Sequence, residues 1–200
     1  LHLSIRRQRQ MCIRDRVESE VLRETQLVVC LLFQYAGMSF VDFAHLKERN
    51  IKNGILDYNR QKTGTPMRLE ILDTAELMRK ELMGDKKPAS GYLFPFLSGT
   101  KTGYEAYLEY NAALSRFNRN LKALKKAAGI ASDVTSYTIR HSFAMALKEQ
   151  NVPIEMISEL LGHKSIKTTQ IYLRSFSLEK MTEVNSTCFG CVYNYVSKVG

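Results

Sequence analysis

Tryptophan is missing from this 200-residue chain, and proline and cysteine occur only four times each. Scarce proline and 11 glycines exclude collagen-like and proline-rich low-complexity architectures. The four cysteines (Cys12, Cys30, Cys188, Cys191) are too few and too scattered for a disulfide framework. Cys188 and Cys191 form one C-x-x-C, but no second pair or histidine stands at ligand spacing, so the motif reads as an inert tail. No metal and no cofactor is expected. No apolar run approaches the roughly 18 residues of a membrane span; the longest, Leu27–Phe33, reads as a buried helix face, so no membrane partner is expected. Acidic residues are also short, 20 against 29 Lys and Arg, giving a formal charge of +9. That excess favours a polyanionic partner, nucleic acid first, and the cytoplasm is the default compartment.

What is present fits one globular domain, since 44% of residues are hydrophobic and 24% charged. Residues 1–16 carry five arginines without a helical period and resemble a translated sequencing adapter, so they are read as a non-native or disordered leader. They contribute +4 of the +9, leaving a basic remainder. Apolar spacing predicts a helix over Val17–Tyr35, ended by Gly37. Ser39 and Asp42 have capping-box spacing for a short helix to Leu46. Ile51–Tyr58 and Met67–Leu72 read as strands around NRQKTGTP, which places Lys62 near a hairpin tip. A second capping box, Asp73 to Glu76, opens a helix ending at Gly84, and residues 85–103 read as loop around the apolar plug YLFPF. A long helix is predicted over Glu105–Ala128, burying Tyr107, Tyr110, Ala113, Leu114, Phe117, Leu121 and Leu124. Its other face carries Arg116, Arg119, Lys122, Lys125 and Lys126, either as solvated surface or as phosphate-backbone contacts.

Three shorter helices follow, over Ser136–Gln150, Ile154–Leu161 and from Ser165 through Leu173. Pro153 starts the second, Gly162 ends it and Ser165 caps the third. They carry Arg140 and His141, then Leu161-Gly162-His163, then Tyr172. The fold class is therefore mainly α with a small antiparallel β-sheet (α+β). An arginine, a histidine and a tyrosine on successive helices can converge on one phosphate.

RHSFA at 140–144, LGH at 161–163, a tyrosine nine residues after His163 and KTG at 62–64 stand in order along the chain. Together they resemble the catalytic domain of the tyrosine recombinases, or phage-integrase family, over about Glu20 to Ser177. GMSFVDFAHLK at 37–47 further resembles integrases of Bacteroidetes mobile elements. The resemblance implies a site-specific DNA recombinase that cleaves and rejoins strands through a 3′-phosphotyrosyl intermediate without metal or ATP. Tyr172 would be the nucleophile, Arg140 the phosphate clamp, Lys62 the general acid for the leaving 5′ oxygen, and His163 a hydrogen-bond donor to the phosphorane. His141, Asp42, Ser39 and Tyr137 would support them. Arg116, Arg119, Lys122, Lys125, Lys126, Lys164 and Lys167 would meet double-stranded DNA.

The same resemblance implies a homotetramer on two duplexes in the bacterial cytoplasm. It implies a catalytic domain over 17–177, a C-terminal tail over 178–200, and a fragment lacking the N-terminal core-binding domain. Two positions depart from the family pattern: Ser39 stands where the first arginine belongs, and Tyr137 where a histidine belongs. A displaced cation, or a noncatalytic integrase-like DNA binder, would each account for this. A helix-turn-helix regulator using Ser165, Lys167 and Gln170 is a further alternative. A type IB topoisomerase shares the chemistry, but the short LGH and KTG motifs look more like an integrase.

Overall fold

The computed structural model describes residues 19–86, 91–131 and 133–173. The leader over 1–16, the tail over 178–200, Cys12, Cys188 and Cys191 lie outside the described residues. Helix α1 (Glu20–Gln34) buries Leu27, Val28, Leu31 and Leu32, a stripe at helical spacing, and packs against three other helices of the core. It stops because Ala36 (φ 55°) and Gly37 (φ 64°) are both left-handed, a turn that directs the chain into α2 (Phe40–Ala44). Helix α2 is only five residues long and is held by stacking. Phe40 lies on Phe117 at 4.6 Å between ring centroids and Phe43 on Phe94 at 4.1 Å. All four rings are buried, each burial stabilising by roughly 1.5–3 kcal/mol.

A 3-10 turn (Glu48–Asn50) leads into the sheet, ordered β1 (Ile51–Lys52), β2 (Ile55–Asn59), β3 (Pro66–Glu70) and antiparallel throughout. The single strand expected over Ile51–Tyr58 is thus two strands. Asn53 (φ 52°) and Gly54 (φ 75°) form a two-residue hairpin turn between them, and Lys52 pairs with Ile55. Asn-Gly is the dipeptide whose backbone tolerates two left-handed residues in a row. Strands β2 and β3 pair from Ile55 against Glu70 to Asn59 against Pro66. One step beyond, the Arg60 N–H donates to the Thr65 carbonyl at 2.9 Å and the Arg60 carbonyl accepts from Gly64 at 2.8 Å. Gln61, Lys62 and Thr63 therefore project as the tip.

Helix α3 (Asp73–Met83) has Leu72 as its N-cap and no side-chain cap bond, so the expected second capping box is absent; Glu76 instead pairs with Arg79 at 2.6 Å. Gly84 (φ 47°) ends it as anticipated. Within the plug Leu93 and Phe94 are buried, as is Leu97 just after it. Helix α4 (Gly103–Ala127) buries Ala113, Phe117, Leu121 and Leu124, but Tyr107 is exposed and stacks on Tyr104 at 6.1 Å. The buried stripe begins one turn later than the spacing suggests, since Tyr104 and Tyr107 both stand exposed.

Helices α5 (Ser136–Glu149), α6 (Ile154–Leu160) and α7 (Ile166–Tyr172) complete the described chain. Thr135 caps α5 through the Thr138 N–H. Ser165 occupies the N-cap position of α7 without a side-chain cap bond. Ile139 belongs to the main core, whereas Ala144, Ile157, Leu161 and Leu173 form a second, smaller core. Arg140 leaves α5 between the two.

Candidate active site

Gly162, at φ 60°, is the pivot on which the site is assembled. A Cβ there would stand 2.4 Å from Met67 Sδ and 2.7 Å from Arg60 Cδ, so only glycine lets the Leu-Gly-His turn close on the sheet. That turn presents two carbonyls inward. Arg140, 6% exposed, donates from Nη1 to the Gly37 carbonyl at 2.9 Å and from Nη2 to the Leu161 carbonyl. The left-handed turn after α1 and the end of α6 are thereby tied to one guanidinium.

His163 follows directly, its Nε2 3.5 Å from Arg140 Nη2 and its Nδ1 2.8 Å from the Thr169 hydroxyl. Burial, then the charges of Arg140 and Arg60, push the imidazole pKa down to about 4. The ring is therefore neutral at pH 7. A guanidinium has only donors, so Arg140 Nη2 donates to Nε2, and the ring proton sits on Nδ1, which donates to the Thr169 hydroxyl. Tyr172 lies on α7 three residues beyond Thr169, and its side chain lies outside the described residues.

Asp42, 3% exposed, organises the opposite wall. Its Oδ2 accepts from the Ser39 hydroxyl at 2.5 Å, its Oδ1 accepts from the Gln61 N–H at 2.7 Å, and Oδ2 lies 3.6 Å from Arg60 Nε. This corrects the capping-box reading: Ser39 occupies the N-cap position, yet its hydroxyl makes no cap bond. A buried carboxylate requires donors, and Ser39 Oγ meets that requirement instead of capping the helix. Asp42 in turn pins the hairpin one residue before Lys62, which is itself exposed at the tip.

Arg60 and Thr169 are the residues of this cluster that sequence reasoning missed; Arg60 matters most. It is 8% exposed and its Nη1 donates to the carbonyls of Leu161 and Gly162, both at 3.0 Å. The geometry thus brings Ser39, Asp42, Arg60, Arg140, His163 and Thr169 into one polar chain running between α2, the hairpin, α5 and α7. Tyr137 is 61% exposed on the first turn of α5, and His141 is half-buried on the same helix. Neighbouring charge also marks Tyr58, a buried strand residue whose hydroxyl is pushed well above its ordinary pKa by burial and by Asp42.

The basic residues separate into groups. Lys122, Lys125 and Lys126 line an open depression with Ile130 and Thr135, and Lys125 pairs with Asp133 at 3.0 Å. Arg116 lines a different groove beside Val21 and Lys86. Arg119, Lys164 and Lys167 are exposed.

The sequence profile described as the Phage integrase family matches residues 12–179. The chain belongs to the phage integrase family. Among curated relatives, Tyrosine recombinase XerD of Lacticaseibacillus casei is 52% identical over 54 residues, which is 27% of this chain and 18% of that protein. Tyrosine recombinase XerC of Rickettsia typhi is 41% identical over 75 residues, 38% of this chain and 24% of that protein. The matches thus span about a quarter or less of these curated relatives. Solved structures share the fold. XerA recombinase superposes with a TM-score of 0.59 at 21% identity, covering 86% of this chain and 63% of that one. A Tn1549 transposon integrase in complex with a circular intermediate DNA gives a TM-score of 0.64 at 15% identity, covering 88% and 63%. The mainly helical phage integrase fold with its small sheet is therefore the expected one. Among the described residues, no helix is long and apolar enough to cross a membrane.

Proposed function

We propose that residues 17–177 are the catalytic domain of a site-specific DNA recombinase acting through a 3′-phosphotyrosyl intermediate. The observation that carries this reading is the pairing of buried Arg140 with half-buried His163, joined through the Leu-Gly-His turn. A planar guanidinium with a neutral imidazole beside it suits the nonbridging oxygens of a phosphodiester. Tyr172 attacks phosphorus, forming the O–P bond to the DNA 3′ side and losing its phenolic proton to water. The P–O5′ bond breaks, and Lys62 gives its proton to the departing 5′ oxygen. The phosphotyrosyl bond conserves the phosphodiester energy, so the reverse attack by a 5′ hydroxyl rejoins strands without ATP or metal.

Double-stranded DNA is the proposed partner, since several structural neighbours are recombinases or integrases bound to DNA. Exposed Arg116, Arg119, Lys122, Lys126, Lys164 and Lys167, with the partly buried Lys125, are the proposed phosphate contacts, in a homotetramer on two duplexes in the bacterial cytoplasm. Ser39, which brings no charge to the site, favours a second reading, a noncatalytic integrase-like DNA binder. A nicked suicide duplex separates the two, because the short cleaved strand diffuses away. An SDS-resistant protein–DNA adduct formed in EDTA supports the recombinase; binding with no adduct supports the binder.

A further inference from the structure

We propose that Arg60 is a phosphate-binding residue, supplying from the hairpin the positive charge that Ser39 does not bring from α2. This assignment rests on the recombinase reading above. The Ser39 hydroxyl is committed to Asp42. Arg60 is nine-tenths buried beside that carboxylate, and its backbone is fixed on both sides by the hairpin. Among the described residues, only the donors on Nη1, of the five N–H donors it carries, make hydrogen bonds, to Leu161 and Gly162. Nε is buried with no hydrogen-bond partner among the described residues, its nearest carboxylate oxygen standing 3.6 Å away. A guanidinium withdrawn from water with donors unspent is costly unless an anion completes it.

Position points the same way. Arg60 and Arg140 both donate to the Leu161 carbonyl, so the two cations lie side by side next to His163. Asp42 is the one carboxylate among the buried polar residues described, against these two guanidiniums. One phosphodiester balances that count, and the doubly charged phosphorane formed in transit attracts both cations more strongly still. The alternative is that Arg60 only braces the Leu-Gly-His turn against the sheet. The two roles differ in what they demand of the substrate.

The test uses Arg60→Met and Arg60→Lys in the full chain, with two nicked duplexes. One carries the ordinary scissile phosphodiester. The other carries a methylphosphonate, in which an uncharged methyl replaces one nonbridging oxygen. If Arg60 answers phosphate charge, Arg60→Met forms adduct about 10²–10³-fold more slowly on the phosphodiester, yet stays near wild type on the methylphosphonate. Arg60→Lys, which keeps the charge and loses the fork, then recovers most of the phosphodiester rate. Equal losses on both substrates, or equal rates for Lys and Met, overturn the proposal in favour of a brace. A wild-type chain that makes no adduct on either duplex counts against the recombinase reading instead. In that case the His163 ring signals, followed by NMR as inorganic phosphate is added, still decide Arg60. Phosphate binding at least tenfold weaker in Arg60→Met than in wild type, and largely restored in Arg60→Lys, is the expected result; unchanged binding in Arg60→Met refutes it.

Discussion

Arg60 and Arg140 place their guanidiniums on the same oxygen, the carbonyl of Leu161, although they come from a hairpin and a helix 80 residues apart. Two like charges meet there because the Leu-Gly-His turn offers backbone acceptors and Asp42 offers a counter-charge. Everything proposed about the site's chemistry depends on that meeting point.

Gly162→Ala tests the turn. Its left-handed φ of 60° costs an alanine about 1–2 kcal/mol, and the clash with Met67 and Arg60 adds roughly 1–3. Urea unfolding is expected to lose about 2–5 kcal/mol relative to wild type. An unchanged midpoint would mean that the turn does not close on the sheet in solution.

Asp42→Asn keeps the shape and removes the charge between Ser39, Gln61 and Arg60. Leaving Arg60 and Arg140 without the buried carboxylate is expected to cost roughly 3 kcal/mol in chemical unfolding. The hairpin tip should also become more sensitive to limited proteolysis after Arg60 or Lys62, since the Gln61 anchor is weakened.

Thr169→Val removes the hydroxyl that fixes the His163 tautomer. Adduct formation is expected to slow roughly tenfold, the equivalent of about one hydrogen bond, with little change in DNA affinity. A gel-shift measurement beside the trapping assay separates the two effects; a matching loss of affinity would point to damage of α7 instead.

Protonation gives an independent readout of the same histidine. The folded pKa of about 4 lies below the ordinary 6.5, so the unfolded chain takes up this proton first as pH falls. The stability involved is complete above pH 6.5 and is lost progressively between about 6.5 and about 4. Melting temperatures across that window should fall more steeply for wild type than for His163→Gln. Parallel curves would show that His163 is not held neutral.

How much of this was legible in the sequence depends on how local each signal is. The helix carrying Arg140 and the helix that leads into the His163 turn were readable because their apolar spacing and the glycine stop at 162 are local signals. The Asn53-Gly54 turn was equally local, and reading one long strand across it overlooked a recognisable hairpin signal. Ser39 and Asp42 misled for a different reason: the capping spacing is genuine, but a buried carboxylate facing the hairpin claims the hydroxyl. Arg60 carried no local mark at all. It stands in a polar turn beside Lys62, and the carbonyls that hold it are 101 and 102 residues away in sequence. Only the folded chain distinguishes it from a solvated basic residue.

The central claim is that Tyr172 becomes covalently joined to DNA at a site built around Arg140 and His163. The most direct measurement is mass spectrometry of the peptide recovered from the SDS-resistant adduct on a nicked duplex, with Tyr172→Phe run in parallel. A nucleotide linked to Tyr172, formed in EDTA and absent from the phenylalanine variant, is the predicted result. An adduct that persists in Tyr172→Phe, or one that forms only with added metal, would contradict it.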